Sequence, residues 1–489
     1  MRLNCRCSGL KATPALVLLC AVTAIALPAQ TFTTLLYFEG ANGGSTLITD
    51  LQGNLAGATS DGGAYSKTCN EPYGCGTVFY ITPNDSLTTV FSFDGADGEF
   101  PIGLVQTTDG DLYGVTSQGG ANSCAAYDLP QCGTIFKITH GSFSTLYNFC
   151  SESNCTDGYQ PSAGLVQASD GDFYGTTLGG YGTIFKITST GMLTTVYTFC
   201  SIANCADGIA PEASLIQAAS GDFYGTTHAG GANGRGTVFK MTPTGSLTTL
   251  HSFDYTDGGF PNGLIQATDG ELYGTTYYGG AHACSETCGT VFKITPTGTL
   301  TMLHTFTGPD GAWPDNGLIQ ATDGNLYGTT SQGGANHSTC APPYGCGTIF
   351  KITPEGAFTS LHSFDGSDGE IPSGLLQAPD GNLYGTTEFG GINSCPNGGS
   401  CGTVFSLSAG LGPFVKTLPT SGKVGSAVII LGTDLTGATS VTFNGVSATF
   451  TVVRASEITT TVPTGATTGE VQVVTPTGTL SSNVTFQVR

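Results

Sequence analysis

The chain has 489 residues and a formal net charge of −21, with 35 acidic against 14 basic side chains. A surface of this charge repels nucleic acid phosphates and anionic lipid headgroups, so neither class of partner is expected. The 74 glycines also disfavour long amphipathic helices, because glycine is a poor helix former.

The first 29 residues have the pattern of a secretory signal peptide. Arg2, Arg6 and Lys11 precede apolar residues 14–27, and Ala29 is a suitable residue for cleavage. The apolar stretch is too short and wrongly flanked for a membrane span, and no other segment is apolar enough to cross a bilayer. We therefore expect an exported protein, secreted or held at the cell surface, without a membrane span.

The cysteines form seven pairs that are close in sequence once those of the predicted signal peptide are removed. An even number of locally paired cysteines in an exported chain is typical of disulfides. Zinc ligation is the alternative, but spacers of three to seven residues, rich in Gly, Asn and Ser, are unusual for zinc sites. The predicted bridges are Cys69–Cys75, Cys124–Cys132, Cys150–Cys155, Cys200–Cys205, Cys284–Cys288, Cys340–Cys346 and Cys395–Cys401.

One sequence unit recurs through residues 31–408. Its parts are an apolar–aromatic strand, an Asp-Gly-x-x-Pro turn, a Gly-Leu-Ile-Gln-Ala strand, an Asp-Gly turn, a Leu-Tyr-Gly-Thr-Thr strand, a variable loop and a Gly-Thr-Val-Phe-Lys-Ile strand. Four short strands per unit, rich in β-branched and aromatic residues, are typical of a propeller blade. Seven copies are present, and in the degenerate first one Ala56 replaces the tyrosine. The pattern predicts an all-β fold, a seven-bladed β-propeller.

The phase of the repeat predicts how the ring closes. Residues 33–38 match the fourth, outer strand of a blade, whereas the seventh unit ends at residues 402–406, which match a third strand. The N-terminal strand should therefore complete the last blade and leave no open sheet edge at the seam.

The repeat also resembles a known family. Phe-Asp-Gly at residues 364–366, Asp-Gly-Asn-Leu-Tyr-Gly-Thr-Thr at 380–387 and Gly-Thr-Val-Phe at 402–405 resemble the Gloeobacter–Verrucomicrobia tandem repeat, over residues 33–408. The resemblance implies an exported bacterial surface or extracellular protein. The family has no settled activity, so the resemblance implies architecture and location but no reaction.

A second domain is predicted after a short linker at residues 409–413. Residues 414–489 lack cysteine and alternate Val and Thr. Their segments at 422–425, 441–445 and 461–463 resemble an IPT/TIG immunoglobulin-like domain, and the length suits a compact β-sandwich. Such domains imply a spacer or docking module.

Residues that recur in every blade are interpreted as scaffold. The inner-strand glutamines are expected to satisfy backbone groups of neighbouring blades, and His251, His304 and His362 are expected to pack structurally. Aspartates such as Asp257 and Asp310 precede a glycine and suit turn formation. Structural calcium at these turns is an alternative left open; no other cofactor is predicted.

The predicted disulfides indicate which face carries function. Loops that follow the second and fourth strands emerge on one face of a propeller, and all seven cysteine pairs lie in such loops. Stiffened, variable loops on a rigid ring favour a binding surface. The alternative is that the bridges only protect exposed loops from proteolysis.

Residues that break the repeat on this face are the candidate ligand contacts. Trp313 is the single tryptophan, and Arg235 is the single arginine between the signal peptide and the second domain. Aromatic planes edged by carboxylates suit sugar rings, whose C–H faces stack while their hydroxyls take hydrogen bonds. The predicted contacts are Trp313, Asp315, Arg235, Tyr127, Tyr159, Tyr277, Tyr278, His228, His282 and His337.

These observations predict a non-catalytic, monomeric binding protein that recognises a polysaccharide or a cell-surface protein. No nucleophile elbow, zincin motif, phosphate loop or dinucleotide fingerprint occurs. Because a glycosidase needs only two suitably separated carboxylates, a polysaccharide hydrolase or lyase is the first alternative. A structural matrix protein without a ligand site is the second.

Overall fold

The computed structural model describes residues 30–39, 44, 46–64, 69, 74–124, 131–280, 288–336, 340, 345–393 and 401–489. The predicted signal peptide lies outside these residues. Their secondary structure is almost entirely β-strand, with 3-10 turns at Ser153–Cys155 and Ala203–Cys205. In this part of the chain no helix is long and apolar enough to pass through a bilayer.

The described strands of the first 408 residues form seven antiparallel sheets, each a blade of four strands from the axis outward. The seventh blade contains the N-terminal strand β1 (Thr31–Tyr37), and its inner strand is split into two short pieces. These sheets confirm the predicted seven-bladed propeller. The remaining strands are β2 (Ile48–Thr49), β3 (Leu55–Thr59), β4 (Thr77–Ile81) and β5 (Leu87–Ser92) in blade 1; β6 (Glu99–Gln106), β7 (Leu112–Gln118), β8 (Thr134–Thr139) and β9 (Ser142–Asn148) in blade 2; β10 (Val166–Gln167), β11 (Phe173–Thr177), β12 (Thr183–Ile187) and β13 (Leu193–Thr198) in blade 3; β14 (Ile216–Gln217), β15 (Phe223–Thr227), β16 (Thr237–Met241) and β17 (Leu247–Ser252) in blade 4; β18 (Gly259–Gln266), β19 (Leu272–Tyr278), β20 (Thr290–Ile294) and β21 (Leu300–Thr305) in blade 5; β22 (Ile319–Gln320), β23 (Leu326–Thr330), β24 (Thr348–Ile352) and β25 (Phe358–Ser363) in blade 6; and β26 (Glu370–Pro372), β27 (Leu376–Gln377), β28 (Leu383–Phe389) and β29 (Thr403–Ser408) in blade 7.

The N-terminal strand closes the ring as predicted. β1 pairs antiparallel with β29, from Thr31 opposite Ser408 to Tyr37 opposite Thr403. The next residue, Phe38, is 2% exposed, and its ring packs edge-on against Phe79 of blade 1 at 5.6 Å between centroids. The outer strand of the last blade therefore comes from the opposite end of the repeat region and covers the edge of β29.

Phenylalanine pairs form the core between successive blades. The Phe that follows a fourth strand packs edge-on against the Phe of the next blade's third strand, at 5.2–5.3 Å between centroids. The glycine of the Tyr-Gly step makes room for the second ring, since a Cβ on Gly274 would lie 2.6 Å from Phe292. The pairs are Phe93–Phe136, Phe149–Phe185, Phe199–Phe239, Phe253–Phe292, Phe306–Phe350 and Phe364–Phe405.

The inner-strand glutamines join neighbouring blades on one face of the ring. This face carries the short turns, mostly Asp-Gly, between the first and second strands of each blade, and we call it the short-turn face. The Gln320 side chain donates to Gly324 O in its own turn and accepts the N–H of Thr268 in the preceding blade. Gln266 does the same toward Gly270 and Ala219. The structural interpretation of these glutamines is therefore confirmed.

The C-terminal segment forms two four-stranded sheets that enclose their own core, which includes Val428, Ile430, Val441 and Phe443. The immunoglobulin-like fold predicted for it is confirmed. Its strands are β30 (Lys416–Leu418), β31 (Ser421–Gly422), β32 (Ala427–Leu431), β33 (Ser440–Phe443), β34 (Val446–Ser447), β35 (Phe450–Arg454), β36 (Glu457–Thr461), β37 (Val471–Thr475), β38 (Gly478–Ser481) and β39 (Gln487–Val488).

This second unit packs on the short-turn face of the propeller. Ile429 and Leu431 of β32 are buried against Leu51 in the β2–β3 turn of blade 1. The Ser456 hydroxyl donates to Gln52 O at 3.0 Å in the same turn. The C-terminal unit is therefore attached at the end of the ring opposite the long loops.

Candidate functional site

The described disulfides all lie on one end of the ring, which we call the disulfide face. Three join residues between the second and third strands of a blade, and two follow a fourth strand. Cys288 and Cys401 are also disulfide-bonded, whereas their predicted partners, Cys284 and Cys395, lie outside the described residues. The described bridges are Cys69–Cys75, Cys124–Cys132, Cys150–Cys155, Cys200–Cys205 and Cys340–Cys346.

One group of sulfurs has the proximity of a metal site. Those of Cys124, Cys132 and Cys150 lie within 4.8 Å of one another. All three cysteines are in disulfides, so none offers the thiolate that zinc requires. The disulfide interpretation is therefore favoured over zinc ligation at this position.

We call the turn that leads from the fourth strand of one blade into the next blade the entry turn. The aspartates of these turns accept hydrogen bonds from protein donors. Asp310 Oδ1 accepts the N–H of Thr307 at 2.8 Å, and its Oδ2 lies 3.0 Å from His304 Nε2. Burial raises the pKa of Asp310, but its hydrogen bonds with His304 and Thr307 outweigh burial and hold the pKa below its ordinary value. His251 and His362 contact the aspartates of their own turns in the same way. These histidines therefore pair with the aspartates of their own turns, in keeping with the structural role expected of them.

The residue before each entry-turn proline links two blades on this face. Its φ is +55° to +57° in the six blades that keep the proline, and its N–H donates to a carbonyl of the preceding blade. In blade 6 this residue is Trp313, bonded to Cys288 O, and in blade 5 it is Phe260, bonded to Arg235 O. The backbone thus places Trp313 and Phe260 at the junctions between blades.

Four rings at these junctions contact one another in series, and we call them the aromatic strip: Phe260, Tyr277, Tyr278 and Trp313. Trp313 stacks on Tyr277 at 5.2 Å between centroids, with 27° between ring planes. Tyr278 contacts Tyr277 at 4.5 Å and Phe260 at 5.6 Å, both edge-on. All four side chains are half-buried. His228 of blade 4 continues the strip at 4.7 Å from Phe260.

Two carboxylates lie at the Trp313 end of the strip. Burial raises the pKa of Asp315 to about 6, against hydrogen bonds with Ser331 and Asn316, and the charge of Glu388 adds to the rise. Burial also raises the pKa of Glu388. Burial, with contributions from Tyr278 and the charge of Asp315, raises the pKa of Tyr277 to about 12. This end of the strip is therefore a poorly solvated acidic corner.

A cation lies at the opposite, Phe260 end. The Arg235 guanidinium is 4.0 Å from the ring centroid of Tyr255 and 5.7 Å from that of Phe260. Nearby, His228 Nδ1 lies 3.2 Å from Glu212 Oε2. The strip therefore has an arginine at one end and two carboxylates at the other.

Two family models match this chain. A model described as the Gloeobacter/Verrucomicrobia repeat matches residues 21–153 and 125–341, more than half of the sequence. The chain belongs to this family. An IPT/TIG domain model matches residues 414–488, the unit docked on the short-turn face. No curated protein matches the chain.

Solved structures similar to this member of the Gloeobacter/Verrucomicrobia repeat family are β-propellers. A streptogramin B lyase structure is 14% identical with a TM-score of 0.51, covering 78% of this chain and 97% of its own. Virginiamycin B lyase from Staphylococcus aureus, solved with quinupristin, is 12% identical with a TM-score of 0.50, covering 78% and 99%. Both neighbours are named as lyases, but identities this low show a shared fold alone.

The structure brings six of the predicted contact residues of this repeat protein into one region. Trp313, Tyr277 and Tyr278 belong to the strip, Asp315 lies at one end, and Arg235 and His228 lie at the other. Tyr159 is not among them, since its hydroxyl accepts the Gly180 N–H within blade 3. Tyr127, His282 and His337 lie outside the described residues.

Sequence reasoning missed Tyr255, Phe260, Glu212 and Glu388. Phe260 shares its residue type with the equivalent Phe100 of blade 2, so nothing marked it as exceptional. Glu388 does break the repeat, since it occupies the position of His228 in blade 4 and Tyr277 in blade 5. Tyr255 did carry a signal, because the equivalent residues of blades 2, 6 and 7 are glycines: Gly95, Gly308 and Gly366. Aligning the repeats column by column would have identified it.

Proposed function

We propose that this protein is an exported, non-catalytic binding protein whose aromatic strip takes up a polysaccharide. The observation that carries the proposal is the unbroken contact of Trp313, Tyr277, Tyr278 and Phe260 across blades 5 and 6. Half-buried rings offer apolar contact area to the C–H faces of sugar rings. Polar groups at both ends can bind hydroxyls. Ligand sites usually combine apolar contact area with a few polar groups that fix the orientation of the ligand.

The placement of the strip supports this proposal. The Trp313 N–H is bonded to the carbonyl of disulfide-bonded Cys288, and Tyr277 and Tyr278 belong to strand β19. Binding therefore requires little ordering of the protein, and preorganisation favours affinity. The immunoglobulin-like unit is attached to the short-turn face through Leu51 and Gln52. A polymer can therefore approach the strip without meeting that unit.

Export is part of the proposal. Several disulfides and the absence of a membrane-spanning helix in the described residues are consistent with an extracellular protein. Residues 1–29 carry the signal-peptide pattern. Mass spectrometry of the secreted protein, expected to begin near Gln30, tests this directly.

Trp313→Ala is expected to weaken polysaccharide binding about ten- to hundredfold, because it removes the largest ring and its stack with Tyr277. The measurement is affinity for a panel of immobilised plant, fungal and bacterial polysaccharides. Tyr181→Ala is the matched control: Tyr181 lies in a loop of the same face, is 58% exposed and is outside the strip. It should bind like the native protein.

Two results would contradict the proposal. If no polysaccharide binds the native protein, a cell-surface protein ligand or a purely structural role takes its place. If both aromatic variants bind as tightly as the native protein, the strip is not the binding surface.

A polysaccharide hydrolase or lyase is the second candidate, favoured by the acidic corner. A carboxyl group whose pKa is raised to about 6, as in Asp315, can act as a general acid near neutral pH. Release of oligosaccharides from a bound polymer would support catalysis. Asp315→Asn should then abolish the release but retain binding.

A further inference from the structure

We infer that the Arg235 end of the aromatic strip binds one carboxylate, so that the ligand is a glycan carrying an isolated acidic sugar among neutral ones. This inference rests on the glycan-binding function proposed above and specifies its ligand class. Arg235 would recognise the carboxylate, while the strip would stack the neutral neighbours.

The guanidinium of Arg235 is free of protein acceptors within the part of the chain that the structure describes. It has no carboxylate within 4.0 Å there, and no described hydrogen bond uses its N–H groups. The side chain is nevertheless half-buried. In a chain with 35 acidic residues, a half-buried arginine without an acidic partner is unusual. Its planar fork suits a bidentate carboxylate.

The strained backbone of Tyr255 is an independent observation at the same place. Tyr255 has a φ of +76°, whereas the equivalent Gly95, Gly308 and Gly366 have φ of +89° to +94°. Its N–H and carbonyl make the same bonds as those glycines, to Gly258 O and from the Gly280 N–H. A side chain in this conformation costs about 1 kcal/mol or more. The turn therefore does not require tyrosine, but the ring supports Arg235 at 4.0 Å.

The surroundings leave Arg235 available for a ligand. Glu212 is an acid nearby on the same face, and its carboxylate is occupied by His228 at 3.2 Å. Phe260 contacts both His228 and Tyr255 and lies within 5.7 Å of the guanidinium. A carboxylate bound to Arg235 would thus belong to a sugar that also lies beside the first ring of the strip.

Charge at the other end limits the ligand to few carboxylates. Asp315 and Glu388 lie near Trp313, where burial already disfavours their negative charge. A polyuronate, with a charge on every sugar, would bring further anions to this corner and to a protein of net charge −21. Repulsion within a Debye length of roughly 8 Å disfavours that arrangement.

The test uses full-length native protein on an array with three kinds of glycan: neutral oligosaccharides, the same oligosaccharides carrying one uronic acid, and polyuronates. The singly acidic member of a pair should bind about tenfold or more tightly than its neutral counterpart. Arg235→Gln should lose about ten- to hundredfold on singly acidic glycans and clearly less on the neutral ones, where it loses only hydroxyl contacts.

Two further variants separate ligand binding from folding. Arg235→Lys retains the charge but not the planar fork, so its loss should be intermediate. Tyr255→Gly should keep the native melting temperature within a few degrees, yet lose part of the preference for the acidic glycan. A preference that is reduced in all three variants and reduced most in Arg235→Gln, with each variant folded by circular dichroism, supports the inference.

The possible failures are distinguishable. Equal affinity for neutral and singly acidic glycans, or an Arg235→Gln loss that is the same on both, overturns the inference and leaves glycan binding intact. Tightest binding to polyuronates also overturns it. No binding to any glycan overturns the proposed function, and the inference with it.

Discussion

Phe38→Ala is expected to lower the free energy of unfolding by about 3–5 kcal/mol, the usual cost of removing a buried phenylalanine. Phe38 is 2% exposed and packs against Phe79 across the junction of blades 7 and 1. The loss should appear as a lower midpoint of urea unfolding, with the disulfides kept oxidised. Trp313, the single tryptophan, reports the transition by fluorescence.

Phe93→Ala is the matched control because Phe93 occupies the equivalent position between blades 1 and 2, 5.2 Å from Phe136. If the seam is packed like an internal junction, the two variants should lose similar stability. A loss below about 1 kcal/mol for Phe38→Ala, beside a full loss for Phe93→Ala, would show that the ring is open at the seam.

Asp315→Asn is expected to raise the free energy of unfolding by about 2–3 kcal/mol at pH 7.5. Burial raises the pKa of Asp315 to about 6 in the folded chain, from 3.8, and each unit of pKa difference corresponds to about 1.4 kcal/mol. Above pH 6 the native carboxylate is charged in a site that disfavours charge. Asparagine fills the same volume without the charge.

The raised pKa determines how the stability difference between Asp315→Asn and the native protein depends on pH. A carboxyl with a raised pKa in the folded state binds its proton more tightly there, so native stability falls as pH rises from about 4 to about 6. The advantage of Asp315→Asn should therefore be largest above pH 6 and vanish near pH 4. Glu355→Gln is the control, because it neutralises a carboxylate that is exposed to solvent. An advantage independent of pH would refute the explanation by charge burial.

The two ends of the aromatic strip share a property that favours a functional site. Asp315 is held where its charge is disfavoured, and Tyr255 is held where the equivalent blades use glycine. Both placements reduce stability, and such costs cluster at binding and active sites. Asp310 in its entry turn differs, since it is held by two hydrogen-bond partners that favour its charge.

Much of the architecture was predictable because it repeats. The Tyr-Gly step, the glutamine at the end of the inner strand and the Gly-Thr-Val-Phe strand each recur at fixed places. A feature that every blade needs must be encoded in every blade, so the pattern reveals four strands and their order. The phase of the repeat likewise predicted the pairing of β1 with β29.

The candidate site was predictable only in part. Trp313 and Arg235 stood out because they occur once in the propeller region, and Tyr277, Tyr278 and Asp315 broke the repeat. Tyr159 also broke the repeat, but its hydroxyl serves a local turn in blade 3. A residue that departs from the repeat is therefore a candidate contact. The departure does not show which candidates lie next to one another in the fold.

By itself the sequence determined the seven blades, the seam, the pairing of neighbouring cysteines and the face on which they lie, because each follows from local spacing and strand alternation. Only the tertiary structure decided that Trp313 stacks on Tyr277, that Arg235 lies on Tyr255, and that the immunoglobulin-like unit packs against Leu51. These contacts join residues of different blades or domains. Their formation depends on the angle between packed sheets, which no short stretch of sequence encodes.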